Sequence, residues 1–142
     1  MKKIFVILFV ALLSIPFCAS AAEKNYLSAE LNQAVPNARI LAIGIIGGGL
    51  PAPGGLKTVQ QEKFTTVVDL RTPEEGTAEE KQKVKSLGMV YVNIPMADRN
   101  VSPEQVESLR KVLDDKNSYP VLMHCQSGGR VDALWKEYKK TK

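Results

Sequence analysis

The 142 residues hold two cysteines and one histidine. That scarcity excludes a histidine-rich metal site, because one His and one or two Cys are too few for zinc without carboxylate help. No sign of charge dominates either: 19 Lys and Arg stand against 15 Asp and Glu, a net charge of +4. Without Lys2 and Lys3 the balance falls to +2, too weak for a nucleic-acid surface. The Lys136, Lys139, Lys140 and Lys142 tail reads as a solvated helix face. Repeats, low-complexity linkers and a second domain are all missing. The one long apolar run, Ile4 to Leu13, is short for a membrane span. It follows the basic Met1-Lys2-Lys3 and precedes Ala19-Ser20-Ala21. This predicts a signal peptide over 1–21, cut between Ala21 and Ala22. Phe17 before Cys18 speaks against a lipoprotein signal. The expectation is an exported, periplasmic protein with no stable membrane association after cleavage.

Cleavage removes Cys18 and leaves Cys125 as the single cysteine. Structural cysteines of exported proteins come in pairs, so a lone one is a candidate reactive thiol. Its surroundings favour that over a buried small hydrophobe. His124-Cys125-Gln126-Ser127-Gly128-Gly129-Arg130 follows the apolar Val121-Leu122-Met123 and precedes a helical pattern. At a strand-to-helix turn the backbone N–H groups point at an anion. The same N–H groups and a nearby guanidinium lower a thiol pKa. Arg130 suits a tetrahedral oxyanion because its planar fork holds two oxygens. The amides of Gln126, Ser127, Gly128, Gly129 and Arg130 would line the cup. His124 cannot deprotonate Cys125 directly, since neighbours on a strand point to opposite faces. It is either a hydrogen-bonding support for the loop or a plain core histidine.

Along the chain, Glu23 to Arg39 is polar and mixed, which predicts a loosely held N-terminal extension over 22–39. Ile40 to Ile46 reads as one strand, and Gly47 to Gly55 as a turn-rich loop on the active-site face. A short helix is predicted over Leu56–Glu62. Thr65 to Leu70 and Met89 to Ile94 read as buried strands. Between them a helix runs to about Leu87 and stops at Gly88. Ser102-Pro103-Glu104-Gln105 caps the next helix, with Val106, Leu109, Val112 and Leu113 on its apolar face. Val121 to Met123 is the last strand. Val131, Leu134, Trp135 and Tyr138 mark the core face of the closing helix. Alternating strands and helices predict a single α/β domain over 40–142, with a mainly parallel central sheet flanked by helices. Ligands of such sheets bind at the carboxyl ends of the strands, where Cys125 falls.

The chemistry that follows is covalent: Cys125 attacks, and water or an acceptor resolves the intermediate. A leaving alkoxide needs a proton. Asp98, in the Pro95–Asn100 loop, is the best placed donor, with a simple turn residue as the alternative. Asp132, one turn into the last helix, is expected to face solvent.

Three segments, Val67-Val68-Asp69-Leu70-Arg71, Gly88 to Pro95 and Pro120 to Cys125, resemble the cysteine-dependent, dual-specificity-like protein tyrosine phosphatases. The closer likeness is to the bacterial phosphatase-like domain of the beta-lactamase-hydrolase-like proteins. That branch shares a Gly-x-Pro segment, here Gly49-Leu50-Pro51, and a Ser-Gly-x-Arg-Val ending. The resemblance implies a tyrosine-phosphatase-like fold. It implies Cys125 as nucleophile, Arg130 on the phosphoryl oxygens, Asp98 as general acid, and Arg71 and Glu75 as structural support. It implies no cofactor, and a phosphorylated protein or small phosphoester as substrate. Two departures stand out. Four residues, not the usual five, separate Cys125 from Arg130, and Val131 replaces the usual Ser or Thr. A four-residue loop is also the rhodanese length, so a sulfurtransferase carrying a persulfide on Cys125 is the second reading. An inactive anion-binding module is the third.

Overall fold

The computed structural model describes residues 27–142. The predicted signal peptide lies outside the described residues. Five strands, β1 (Arg39–Ala42), β2 (Ile45–Gly48), β3 (Thr66–Asp69), β4 (Val90–Asn93) and β5 (Val121–His124), form one sheet in the order β1-β2-β5-β3-β4. The β1–β2 pair is antiparallel; every other pair is parallel. The helices are α1 (Ala29–Ala34), α2 (Gly55–Gln61), α3 (Thr77–Ser86), α4 (Pro103–Asp114) and α5 (Gly129–Lys139). None of the described helices is long and apolar enough to cross a membrane.

Strand alternation divides the core in two. Val121, Met123 and Cys125 pack with Val68 and Leu70 against α4 and α5, on Leu109, Val131 and Leu134. Leu122 and Val67 face the other way, onto Leu31, Val59 and Val84 of α1, α2 and α3. β5 is the central strand, so Cys125 emerges at the middle of the sheet's carboxyl edge. The predicted cap of α4 is present: Ser102 and Gln105 form a reciprocal box. The α/β class, the parallel core strands and the helices flanking them match the sequence reading.

Two expectations are corrected. Within the predicted extension, residues 27–39 are not loosely held. Ser28 caps α1, and Leu31 and Val35 are buried in the core. Its mixed composition hid a short helix whose stability comes from packing rather than propensity. The Ile40–Ile46 run is not one strand but a hairpin, turned at Ile43-Gly44 with Gly44 at φ 72°. Gly47 and Gly48, expected in the loop, complete β2. A Cβ on Gly47 would stand 2.8 Å from Val131 Cγ1, and one on Gly48 would meet Val35 and the Pro36 carbonyl. Missing side chains let α5 and the N-terminal segment close onto this strand, a tertiary demand that local sequence reads as turn.

Candidate active site

The loop after β5 carries the thiol into a ring of backbone amides. Gly128 takes φ 101°, a left-handed conformation open to glycine, at the N-cap of α5. Its N–H donates to Cys125 Sγ at 3.1 Å. Burial would raise the thiol pKa. The N–H groups of Val131, Arg130, Gly128 and Ser127 outweigh it and hold the thiol below its usual range. Cys125 is itself buried.

Arg130 projects from the first turn of α5. Its two Nη atoms grip the Glu75 carboxylate, each at 2.7 Å, and Nη1 also donates to the Met96 carbonyl at 2.7 Å. Glu75 closes a 3-10 turn, Pro73–Glu75, and accepts the Thr72 N–H. The Arg130 guanidinium holds the Glu75 carboxyl down to about 2. The same pair keeps Arg130 protonated well above its ordinary range. Glu75, read from sequence as structural support, is therefore the direct partner of Arg130.

Asp98 lies in the loop that Met96 ties to Arg130. Its carboxylate is exposed and accepts the Asn100 N–H and Nδ2 at 2.7 and 2.9 Å. The loop stands beside the cup, while the Asp98 side chain is engaged in its own turn rather than with Cys125. Gln126 and Ser127 are exposed at the rim, and Gly128 is buried at the floor. Asp132 is largely exposed, as expected, yet pairs with Arg39.

His124 is buried. Its Nε2 meets Glu80 Oε1 at 2.5 Å, and Nδ1 lies 3.4 Å from the Cys125 carbonyl. Beneath the cup it joins a buried charge network. Arg71 donates to Asp69 through Nε and Nη2 at 3.0 and 2.8 Å, and to Glu80 Oε2 at 2.7 Å. Tyr91 donates its hydroxyl to Asp69 at 2.9 Å. Asp69, Glu80 and His124 bring ligand-type atoms within 4.8 Å of one another. Those carboxylates already satisfy the Arg71 guanidinium, so the donor set fits a salt-bridge network better than a cation.

Sequence reasoning missed Asn37 and Arg39. Asn37 Nδ2 donates to the Ser127 carbonyl at 3.1 Å, and Arg39 Nη2 to the Gly128 carbonyl at 3.0 Å. The one local signal was Pro36-Asn37, a turn dipeptide in a segment read as loose. A cleft of about 290 Å³ opens between Leu50–Leu56 and α3, lined by Pro51, Arg71, Glu79 and Lys83. No residue of the Cys125–Arg130 loop lines it; its link to the loop is the Leu50 N–H, which donates to the Gln126 carbonyl at 3.1 Å.

A family model described as DSP-PTPase phosphatase fused to NAD+ kinase matches residues 26–141. No curated relative matches the chain. Among solved structures, a DUF442 protein from Shewanella putrefaciens CN-32 is 26% identical, with a TM-score of 0.70 over 79% of this chain and 76% of its own. Tk-PTP in its active form is also 26% identical, at a TM-score of 0.60 over 75% and 76%. The core catalytic domain of the PP-IP phosphatase SIW14 from S. cerevisiae, solved with citrate, is 20% identical. It shares the fold at a TM-score of 0.63 over 73% and 65%.

Proposed function

The chain belongs to the DSP-PTPase phosphatase family described as fused to NAD+ kinase, and from that premise we propose that it hydrolyses phosphate monoesters through a cysteinyl-phosphate on Cys125. The observation that carries this reading is the amide ring on the Cys125 sulfur, with Arg130 beside it. The thiolate attacks phosphorus, a P–S bond forms and the ester P–O bond breaks. Asp98 donates a proton to the leaving oxygen. It then takes one from the water that cleaves P–S, releasing inorganic phosphate and the thiolate. Charge growing on the phosphoryl oxygens meets the loop N–H groups and the Arg130 N–H groups that Glu75 and the Met96 carbonyl leave free, already oriented before the reaction.

A four-residue loop makes a smaller cup than five residues do, and this favours persulfide transfer as the second reading. A paired assay decides. One arm follows phosphate release from an aryl phosphate across pH 5 to 8; the other follows thiocyanate from thiosulfate and cyanide, each against Cys125→Ser. Phosphate release that Cys125→Ser abolishes supports the phosphatase. Thiocyanate alone moves the activity to sulfur transfer and removes the role of Asp98. Silence in both arms leaves an anion-binding module.

We also propose that the chain is exported, on the Met1–Ala21 pattern. Periplasmic protein beginning at Ala22 supports it; cytoplasmic protein that retains the leader overturns it.

A further inference from the structure

The loop's amides face the sulfur because its carbonyls are held the other way. Three successive carbonyls have donors from outside the loop. The Leu50 N–H takes Gln126 O at 3.1 Å, Asn37 Nδ2 takes Ser127 O at 3.1 Å, and Arg39 Nη2 takes Gly128 O at 3.0 Å. A trans peptide unit is planar, with C=O and N–H pointing opposite ways. Fixing the Gln126 carbonyl outward therefore turns the Ser127 N–H inward. Fixing the Ser127 carbonyl outward does the same for the Gly128 N–H. Both of these N–H groups act on the Cys125 sulfur, that of Gly128 at 3.1 Å. The Gly129 N–H shares a peptide unit with the Arg39-bound carbonyl.

Asn37 carries a second mark. It sits at φ 55°, a left-handed backbone that costs a non-glycine residue free energy and that asparagine tolerates better than most. Its side chain is exposed, so burial does not account for its placement.

We propose that Asn37 is a positioning residue for the Cys125 nucleophile: its amide holds the Ser127 carbonyl outward and so keeps the Gly128 N–H on the sulfur. The proposal rests on the reading of Cys125 as the reacting thiolate. Arg39, anchored by Asp132, braces the next carbonyl, whose peptide unit carries the Gly129 N–H rather than the Gly128 N–H that bonds the sulfur. The charged groups about the loop are Arg130 with Glu75, Arg39 with Asp132, Arg99 against Gly129, and His124 with Glu80 beneath. Asn37→Gly alters none of them.

The test titrates the thiolate by its absorbance at 240 nm, each variant against its own Cys125→Ser blank, with thermal unfolding alongside. Asn37→Gly removes the amide and also relieves the left-handed backbone, so the fold should hold. The titration midpoint is expected to rise by about half a pH unit or more, since one of the hydrogen bonds favouring the thiolate loosens. Asn37→Asp, which cannot donate, should raise it as well, and Arg39→Met should raise it less. An unchanged midpoint in Asn37→Gly overturns the proposal. So does a rise confined to Asn37→Asp, which would report only an added charge. The readout is the sulfur itself, so it stands whether the paired turnover assay returns phosphate, thiocyanate or neither.

Discussion

Arg130 and Glu75 meet fork to fork: Nη1 on Oε2 and Nη2 on Oε1, both at 2.7 Å, across 55 positions of sequence. The pair fixes the guanidinium plane at the mouth of the cup, with the Met96 carbonyl as a third anchor.

Glu75→Gln keeps the shape and loses one of the two charged contacts. Its effect on stability depends on pH with a definite sign. The Glu75 carboxyl is lowered from 4.5 to about 2 in the folded protein. The ion pair therefore stabilises fully above the unfolded value. That contribution fades as pH falls below 4.5 and is gone once pH passes the folded value of about 2. Urea midpoints of wild type and Glu75→Gln should differ at pH 7 and converge by about pH 2. A gap that stays constant over that range would show that the pair contributes nothing through charge. At pH 7 kcat should fall by about tenfold or more, because an arginine fork that wanders loses its orientation to the phosphoryl oxygens.

Asp98→Asn should slow turnover by about a hundredfold on alkyl phosphates, whose leaving groups need a proton, and far less on nitrophenyl phosphate. The ratio of the two rates is the measurement. Equal losses on both substrates would assign Asp98 to the loop turn it forms with Asn100.

Glu80 links Arg71 to His124 inside the protein. Glu80→Ala leaves a buried guanidinium short of a partner, which costs about 3 kcal/mol. Urea unfolding followed by tryptophan fluorescence reads this directly. A loss well under 1 kcal/mol would mean that water enters and replaces the carboxylate.

Thr66 Oγ1 is the buried side-chain polar atom without a partner among the described residues. Thr66→Val keeps the shape of this β3 side chain and removes the unmatched hydroxyl. Stability should rise by about 1 kcal/mol, read as a higher thermal midpoint. A fall would reveal a partner for the hydroxyl that the fold supplies in solution.

Most elements of the sheet and its helices were legible because their signals are local. β3 and β5 are apolar runs, α4 carries a capping box, and α5 repeats Val131, Leu134 and Tyr138 at helical spacing. The N-terminal hairpin was illegible for a matching reason. Ile40 to Ile46 is apolar throughout, and Ile43, at 63% exposure, sits at a turn that hydrophobicity alone does not mark. Gly47 and Gly48 look like loop residues until Val131 and Val35 are seen packed against them.

The candidate site divides along the same line. Cys125, Gly128 and Arg130 stand within one strand-to-helix turn, and the chemistry of a thiolate in an amide cup is a property of that short segment. The sequence by itself determined the cysteine-to-arginine loop and the α/β frame that presents it, since each rests on residues at most a few positions apart. Tertiary structure alone decided what holds the loop to its task. Asn37 reaches it across 90 positions, Arg39 across 89 and Glu75 across 55. The fold brings these partners together by burying Leu31 and Val35 and by ordering β2, β5 and β3 side by side. Pairings at such separation leave no periodic trace, because their geometry exists only once the core has closed.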